Sequence, residues 1–315
     1  MRLAITKEMK ITAISVLSLA LVYVAASSAA ENEYPRAYLS EGQVWIQRSG
    51  SEPAFQATHD CPNKYSPAVS LDRHQIAYGV TCVGKDHLLS AMSLVVLDAS
   101  GKELSRFTPL SMTRLGDSCR QADHIEWIDG AHIAMVCEYN PSLEDYLVVN
   151  AHTGRVETEY AGLWFTRSPD HKTVAYGGFI VHFAPPIAQN YCLLFNEKTI
   201  YTQPCSNQVG SDENGIFRNI HTFAYPLVWS PDSRNIAFVE EISDWKFDPA
   251  PNERDTGKSI NQRYYLVIAS SDHAARGYRL SKPSQSSSLA WRSNSQIVLD
   301  GGLYDLEKDA PHSIP

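Results

Sequence analysis

The sequence predicts an all-β chain built from repeated four-stranded units, and three observations predict it. A phrase recurs: LVWSPDSRNIAFVE at 227–240 echoes LWFTRSPDHKTVAYGG at 163–178, each an apolar run, a Ser-Pro-Asp turn and a second apolar run. Three further stretches share that shape: SPAVSLDRHQIAYGV (66–80), HIEWIDGAHIAMVC (124–137) and SLAWRSNSQIVLDG (288–301). Four of the five copies are followed by a second pair of β-prone runs around a turn. Short runs rich in β-branched and aromatic residues, bounded by Asp, Ser, Asn, Gly and Pro, read as hairpins. Two hairpins per repeat make a four-stranded unit, and an array of such units is the signature of a β-propeller.

The repeat spacing fits that architecture. The first apolar residue after each turn is Ile76, Ile133, Val174, Ile236 or Ile297, giving steps of 57, 41, 62 and 61 residues. A four-stranded blade needs roughly 40 residues, so the surplus must lie in connections. The second hairpins are SLVVLDASGKELSRFTP (93–109), DYLVVNAHTGRVETEY (145–160), YCLLFNEKTIYTQP (191–204) and YYLVIASSDHAARGYRL (264–280). Each unit therefore reads as strands A–B, then C–D.

The two ends complement each other. QVWIQRSGSEPAFQATH (43–59) looks like a C–D hairpin with no A–B before it. At the far end, 288–306 supplies A, B and a short third strand, GLYDL. The expectation is five blades, closed by N-terminal strands joining the last blade, which removes open sheet edges. Six is the alternative, because AYLSEG (37–42) can belong to a further degenerate unit.

Residues 1–30 stand apart from the repeats. Lys7 and Lys10 precede the apolar run ITAISVLSLALVYVA, which ends in the small residues SSAA. A basic start, a short apolar run and small residues describe a secretory signal, with cleavage expected after Ala30. That leaves 31–315 as one propeller domain, periplasmic or secreted, with no stable membrane span. Loss of Arg2, Lys7, Lys10 and Glu8 takes the formal charge from −8 to −10. An acidic chain without basic blocks argues against nucleic acid or an anionic membrane as partner.

Six cysteines in an exported chain favour disulfides. Six allow fifteen connectivities, which the repeat narrows. Cys61 and Cys82 flank the A–B hairpin of the first unit, Cys119 and Cys137 that of the second, and Cys192 and Cys205 a C–D hairpin of the third. Paired strands bring such ends within the ~5.5–6 Å Cα separation that a disulfide needs. The expected bridges are Cys61–Cys82, Cys119–Cys137 and Cys192–Cys205.

The stretches WSPDSRNIAFV (229–239) and RSPDHKTVAYG (167–177) resemble the WD40-like repeats of TolB-type β-propellers. They are also similar to the propellers of the prolyl oligopeptidase group. SLDRHQIAYG (70–79) is a weaker copy, and WIDGAHIAMV and WRSNSQIVLD are degenerate. The resemblance covers most of the chain after residue 30 and implies a fold. It implies that the turn aspartates, Asp170 and Asp232, are structural. TolB-type proteins carry an α/β domain before the propeller, yet no helical periodicity runs between 31 and 60. Prolyl oligopeptidase relatives carry a hydrolase domain, yet the sequence holds no Gly-x-Ser-x-Gly elbow. Neither Tol-system membership nor peptidase activity carries over.

Function is sought in the connections. The A–B and C–D turns read as tight, whereas the B–C segments 81–91, 138–144, 178–190 and 240–262 read as long loops on one face. Long loops on a rigid scaffold are where binding resides. The longest, EISDWKFDPAPNERDTGKSINQ (241–262), sets Trp245 and Phe247 among Asp244 and Asp248. Aromatics in a polar loop suit ligand contact; the same aromatics can fold back as a local plug. The histidines are scattered without a His-x-x-x-His or Glu-x-x-His pair, and no Gly-rich phosphate loop occurs. No metal or cofactor is expected. The reading is a noncatalytic binding module for a protein, peptide or glycan. The alternative is an enzyme of lyase or glycosidase type with an acidic site in the central funnel.

Overall fold

In the computed structural model the described residues are 34–82, 91–113, 116–140, 143–181, 189–201, 212–247, 257–281, 288–311 and 314. Their regular secondary structure is entirely β. The chain divides into two compact units whose segments interleave in sequence. One is Met1–Pro109 with Gln121–Ile133 and Asn150–Arg155, and the other is Leu110–Arg120, Ala134–Val149 and Val156–Pro315.

The first unit holds two antiparallel sheets. Strands β1 (Arg36–Ser40), β2 (Gln43–Gln47) and β3 (Phe55–Gln56) form one. The other is β4 (Asn63–Val69), β5 (Gln75–Thr81), β6 (Ser93–Asp98) and β7 (Glu103–Phe107), paired in that order. This is the A–B–C–D unit expected from sequence. Its core gathers Val44, Ile46, Ile76, Tyr78, Val80, Val95 and Leu97. The β1–β2 turn uses Gly42 at φ 70°, where a Cβ would lie 2.4 Å from the Pro62 carbonyl oxygen, so only glycine fits. Strand β8 (Gln121–Trp127) also belongs to this unit.

The second unit carries the rest. Strands β9 (His132–Asn140), β10 (Leu143–Asn150), β11 (Val156–Arg167), β12 (Val174–Val181), β13 (Gln189–Phe195) and β14 (Lys198–Tyr201) are neighbours in chain order. Strand β11 serves two repeats. Residues 156–162 pair with β10, and Leu163, Thr166 and Arg167 pair with β12, with a register shift between Leu163 and Thr166. Strands β15 (Ile216–Trp229), β16 (Asn235–Phe247), β17 (Gly257–Ser270) and β18 (Arg276–Leu280) form a four-stranded sheet, and β19 (Ala290–Ser293), β20 (Gln296–Leu299) and β21 (Gly302–Asp305) a three-stranded one. One core packs Leu193, Phe195, Phe223, Trp229, Phe238 and Val267, and a second packs Val239, Leu266, Ile268, Leu289 and Ile297.

The recurring phrase is one turn built three times. The buried Ser70, Ser168 and Ser230 each donate Oγ–H to the aspartate two residues on, at 2.6, 2.7 and 2.6 Å. The same Oγ accepts the amide of Gln75, Thr173 or Asn235. Each turn contains a residue at φ 62°: Arg73, His171 and Ser233. The serine hydrogen bond holds the Asp72 and Asp170 carboxyls below the usual carboxylate value. Local aspartate bonding of this kind is what fixes such turns.

Tryptophan links successive copies. Trp229 Nε1 donates to the Thr166 carbonyl at 3.3 Å, and Trp291 Nε1 to the Val228 carbonyl at 2.8 Å. Trp127 Nε1 does the same to Ala68 at 3.2 Å in the first unit. The backbone N–H of Asp170 also donates to Ser233 Oγ, and that of Asp232 to Asn294 Oδ1.

Two expected bridges are present: Cys61–Cys82 with Cα atoms 5.3 Å apart, and Cys119–Cys137 at 5.6 Å. Cys192 is disulfide-bonded, and its expected partner Cys205 lies outside the described residues. Residues 1–30 also lie outside them. At the N-terminus, Arg36–Ser40 pairs with β2 across a turn at 41–42. Strands β1–β3 form one sheet and β19–β21 another.

The B–C segments differ from the loops expected of them. Residues 241–247 and 257–262 are strand, with Phe247 paired to Gly257. Val181 likewise pairs with Gln189. Backbone amides that a loop would leave to water are satisfied by continuing the ladder. Strands β15–β17 thus run to 13 or 14 residues, against 7 in β4 and β5.

Candidate functional site

The extended end of β15–β17 is where the chain departs most from its repeat. On β16, Glu240, Ile242 and Asp244 share one face, because alternate strand residues point the same way. His221 of β15 and Arg263 of β17 stand opposite Ile242, and Phe223 and Tyr265 opposite Glu240. The register shifts beside Asp244 on both flanks. Phe217 pairs with Trp245 and Ile220 with Ser243, so Arg218 and Asn219 together oppose Asp244. Ile242 pairs with Arg263 and Asp244 with Ile260, so Asn261 and Gln262 together oppose Ser243. These are two β-bulges, which re-aim side chains and gather near functional sites. Each contains an asparagine in the left-handed region, Asn219 at φ 51° and Asn261 at φ 55°, a conformation that asparagine tolerates.

Asp244 holds both bulges. Its Oδ1 accepts the Asn219 amide N–H at 3.1 Å. Its Oδ2 accepts Asn261 Nδ2 at 3.0 Å and Arg218 Nη1 at 2.9 Å. The Asn261 bond, with those from Asn219 and Arg218, keeps the buried carboxyl below its usual value. Arg218 also reaches Asp212 Oδ2 at 3.0 Å, and Arg263 Nη2 donates to Asn219 Oδ1 at 2.8 Å. The result is a cleft of about 520 Å³ lined by Arg218, Asn219, Asp244, Asn261, Gln262 and Arg263.

Deeper on the same face lies a closed acid cluster. Glu240 has no solvent exposure. Its Oε2 accepts the Tyr201 hydroxyl at 2.6 Å, and its Oε1 hydrogen-bonds His221 Nδ1 at 2.7 Å. Burial pushes the Glu240 carboxyl above its usual range, against the pull of His221 and Tyr201. Burial and the neighbouring Glu240 also push the Tyr201 phenol up.

Within the sequence-derived set of Trp245, Phe247, Asp244 and Asp248, the described side chains of Asp244 and Trp245 do not share one surface. Strand alternation puts Asp244 and Trp245 on opposite faces. Trp245 is half-buried against Phe217 and Ile220, which matches the local-plug alternative. Phe247 is the last residue of β16, and Asp248 lies outside the described residues. Arg218, Asn219, Asn261, Gln262 and Arg263 were missed. The signal available was the run SINQR (259–263), polar residues entering a β-branched strand.

Among the described residues no group of three or more His, Cys, Asp or Glu side chains is placed to hold a metal ion. No helix among them is long and apolar enough to cross a membrane.

Repeated antiparallel sheets, their hydrogen-bonded turns and a polar cleft on one extended sheet define an all-β repeat protein. No family model and no curated protein matches the sequence. Among solved structures, the chain is similar to Kuenenia stuttgartiensis hydrazine synthase at 14% identity and TM-score 0.42, covering 85% of this chain and 71% of that one. It is similar to the β-propeller domain of the Trilobed protease from Pyrococcus furiosus at 12% identity and TM-score 0.37, covering 88% and 91%. TolB from Acinetobacter baumannii aligns at 12% identity and TM-score 0.29, covering 76% of this chain and 60% of TolB. At these scores the likenesses assign neither activity nor partner.

Proposed function

We propose that the chain is an exported β-propeller that acts as a noncatalytic binding module for a protein, peptide or glycan. The observation that carries this reading is the cleft at the extended end of β15–β17, where a buried carboxylate organises two bulges and leaves polar side chains around an open volume. Residues 31–315 are read as one propeller domain behind a signal at 1–30. Disulfides persist in oxidising compartments, and the two bridges support a periplasmic or secreted location. Five blades result if β1–β3 complete the sheet of β19–β21, and six if each stands alone.

The test is capture from envelope extracts and secreted material by the protein and by its Arg263→Ala variant. A ligand retained by the first and lost by the second supports the reading. Equal retention by both removes the cleft from it.

An enzyme of lyase or glycosidase type is the second reading, favoured by the Glu240–His221–Tyr201 cluster. Paired carboxylates facing one cavity are what glycoside hydrolysis needs. In the cleft Asp244 is the one carboxylate among the lining residues, and it is engaged by three donors.

A further inference from the structure

We propose that the cleft takes a neutral, polyhydroxylated ligand: a sugar ring, or the end of an uncharged oligosaccharide. This rests on the binding reading above and names its ligand class. The hydrogen bonds fix which way each amide faces. Asn219 Oδ1 is taken by Arg263, so its Nδ2 is left to donate. Asn261 Nδ2 is taken by Asp244, so its Oδ1 is left to accept. Gln262 Nε2 is taken by Glu241 Oε1 at 3.1 Å, so its Oε1 is left to accept. Arg263 adds donors beside them. The wall therefore offers both kinds of group, donors on Asn219 and Arg263 and acceptors on Asn261 and Gln262.

A hydroxyl both donates and accepts, so adjacent hydroxyls suit such a wall. A carboxylate or phosphate only accepts and would face the outward oxygens of Asn261 and Gln262 unfavourably. Of the two guanidiniums in the wall, Arg263 donates to the amide oxygen of Asn219, and Arg218 is held by carboxylates. Arg218 is shared between Asp212 at 3.0 Å and Asp244 at 2.9 Å. The chain as a whole carries −8. All six lining residues among those described are polar or charged. The volume of about 520 Å³ falls within the range of small-ligand sites.

The experiment is a glycan array probed with the full protein. It carries neutral oligosaccharides of glucose, galactose, mannose and N-acetylglucosamine beside uronate-bearing and sulfated ones. Retention of at least one neutral glycan, weakened tenfold or more in Gln262→Ala and Arg263→Ala at unchanged melting temperature, is the expected result. Gln262 is exposed, so its replacement keeps the test open should Arg263→Ala misfold. Binding confined to acidic glycans overturns the proposal, because charge is then what the cleft reads. If no glycan binds but a protein from envelope extract is captured by wild type and lost by Arg263→Ala, the ligand class is wrong and the binding reading stands. If neither is retained, both fall.

Discussion

The two ends of the β15–β17 sheet are built by opposite rules. At one end the Ser230–Asp232 turn repeats the Ser168–Asp170 turn bond for bond. Trp229 there stacks 4.9 Å from Phe195 and ties its copy to Thr166. At the other end nothing repeats. The strands overrun the repeat length, and two bulges break the ladder around Asp244. A fold that copies one turn three times uses it for stability. A polar arrangement open to solvent that departs from the repeat is where the proposed binding is sought. Changes at the repeated end should therefore lower stability and leave ligand affinity alone, and changes to the exposed side chains of the bulged cleft should do the reverse.

The largest effect is expected from Trp229→Ala. Truncating a buried aromatic costs about 3–5 kcal/mol, and this one also gives up its link to the preceding copy. Denaturant unfolding should show that loss, while Trp229→Phe, which keeps the stacking, should lose much less. A cost for Trp229→Ala no greater than that of Trp245→Ala would mean that the tryptophan links carry little.

Asp244→Ala comes next. It strands the Asn219 amide and Asn261 and leaves Arg218 with Asp212, and hydrogen bonds to a charged group are worth about 1.5–3 kcal/mol. Affinity should fall with stability here, because Asp244 shapes the cleft without facing the ligand. The pH dependence gives the sign. Asp244 has its carboxyl lowered from the ordinary 3.8, so its contribution is present above that value and lost as pH falls through the lowered one. Glu240 works the other way. Its carboxyl is raised from the ordinary 4.5, so its contribution is present below that value and lost as pH rises through the raised one. Thermal melts of Glu240→Gln against wild type should favour the variant progressively more above pH 4.5; a constant difference would contradict the buried-carboxylate account.

Smaller effects belong to single hydrogen-bonded turns. Ser168→Ala removes the bonds to Asp170 and Thr173 and should cost about 1 kcal/mol with affinity unchanged. Gln262→Ala, at an exposed position, should cost less than about 0.5 kcal/mol yet weaken ligand binding in titration.

The sequence made the repeated end legible because its signals are local. Ser-Pro-Asp turns, alternating strands and cysteines flanking a hairpin all act within about twenty residues. That is why Cys61–Cys82 and Cys119–Cys137 could be paired from the repeat. The tryptophan links were equally available, since Trp127, Trp229 and Trp291 occupy one position of the repeat, but their acceptors lie a whole copy away. The bulged end was misread as loop. Residues 241–247 and 257–262 are polar on both faces, so strand alternation leaves little hydrophobic pattern there. The functional weight given to Trp245 followed from that misreading: in a loop it would face a ligand, and in a strand it packs on Phe217. Asp244 was read as a ligand contact, whereas in the structure its carboxylate holds Asn219 and Asn261.

The most direct measurement is a paired one: ligand affinity and melting temperature for Arg263→Ala and Ser168→Ala, using whichever glycan or envelope partner wild type retains. The account predicts that Arg263→Ala loses at least tenfold in affinity and melts as wild type does, while Ser168→Ala melts lower and binds as wild type does. The opposite pattern, or affinity lost equally in both, would contradict the division between a repeated scaffold and a bulged site.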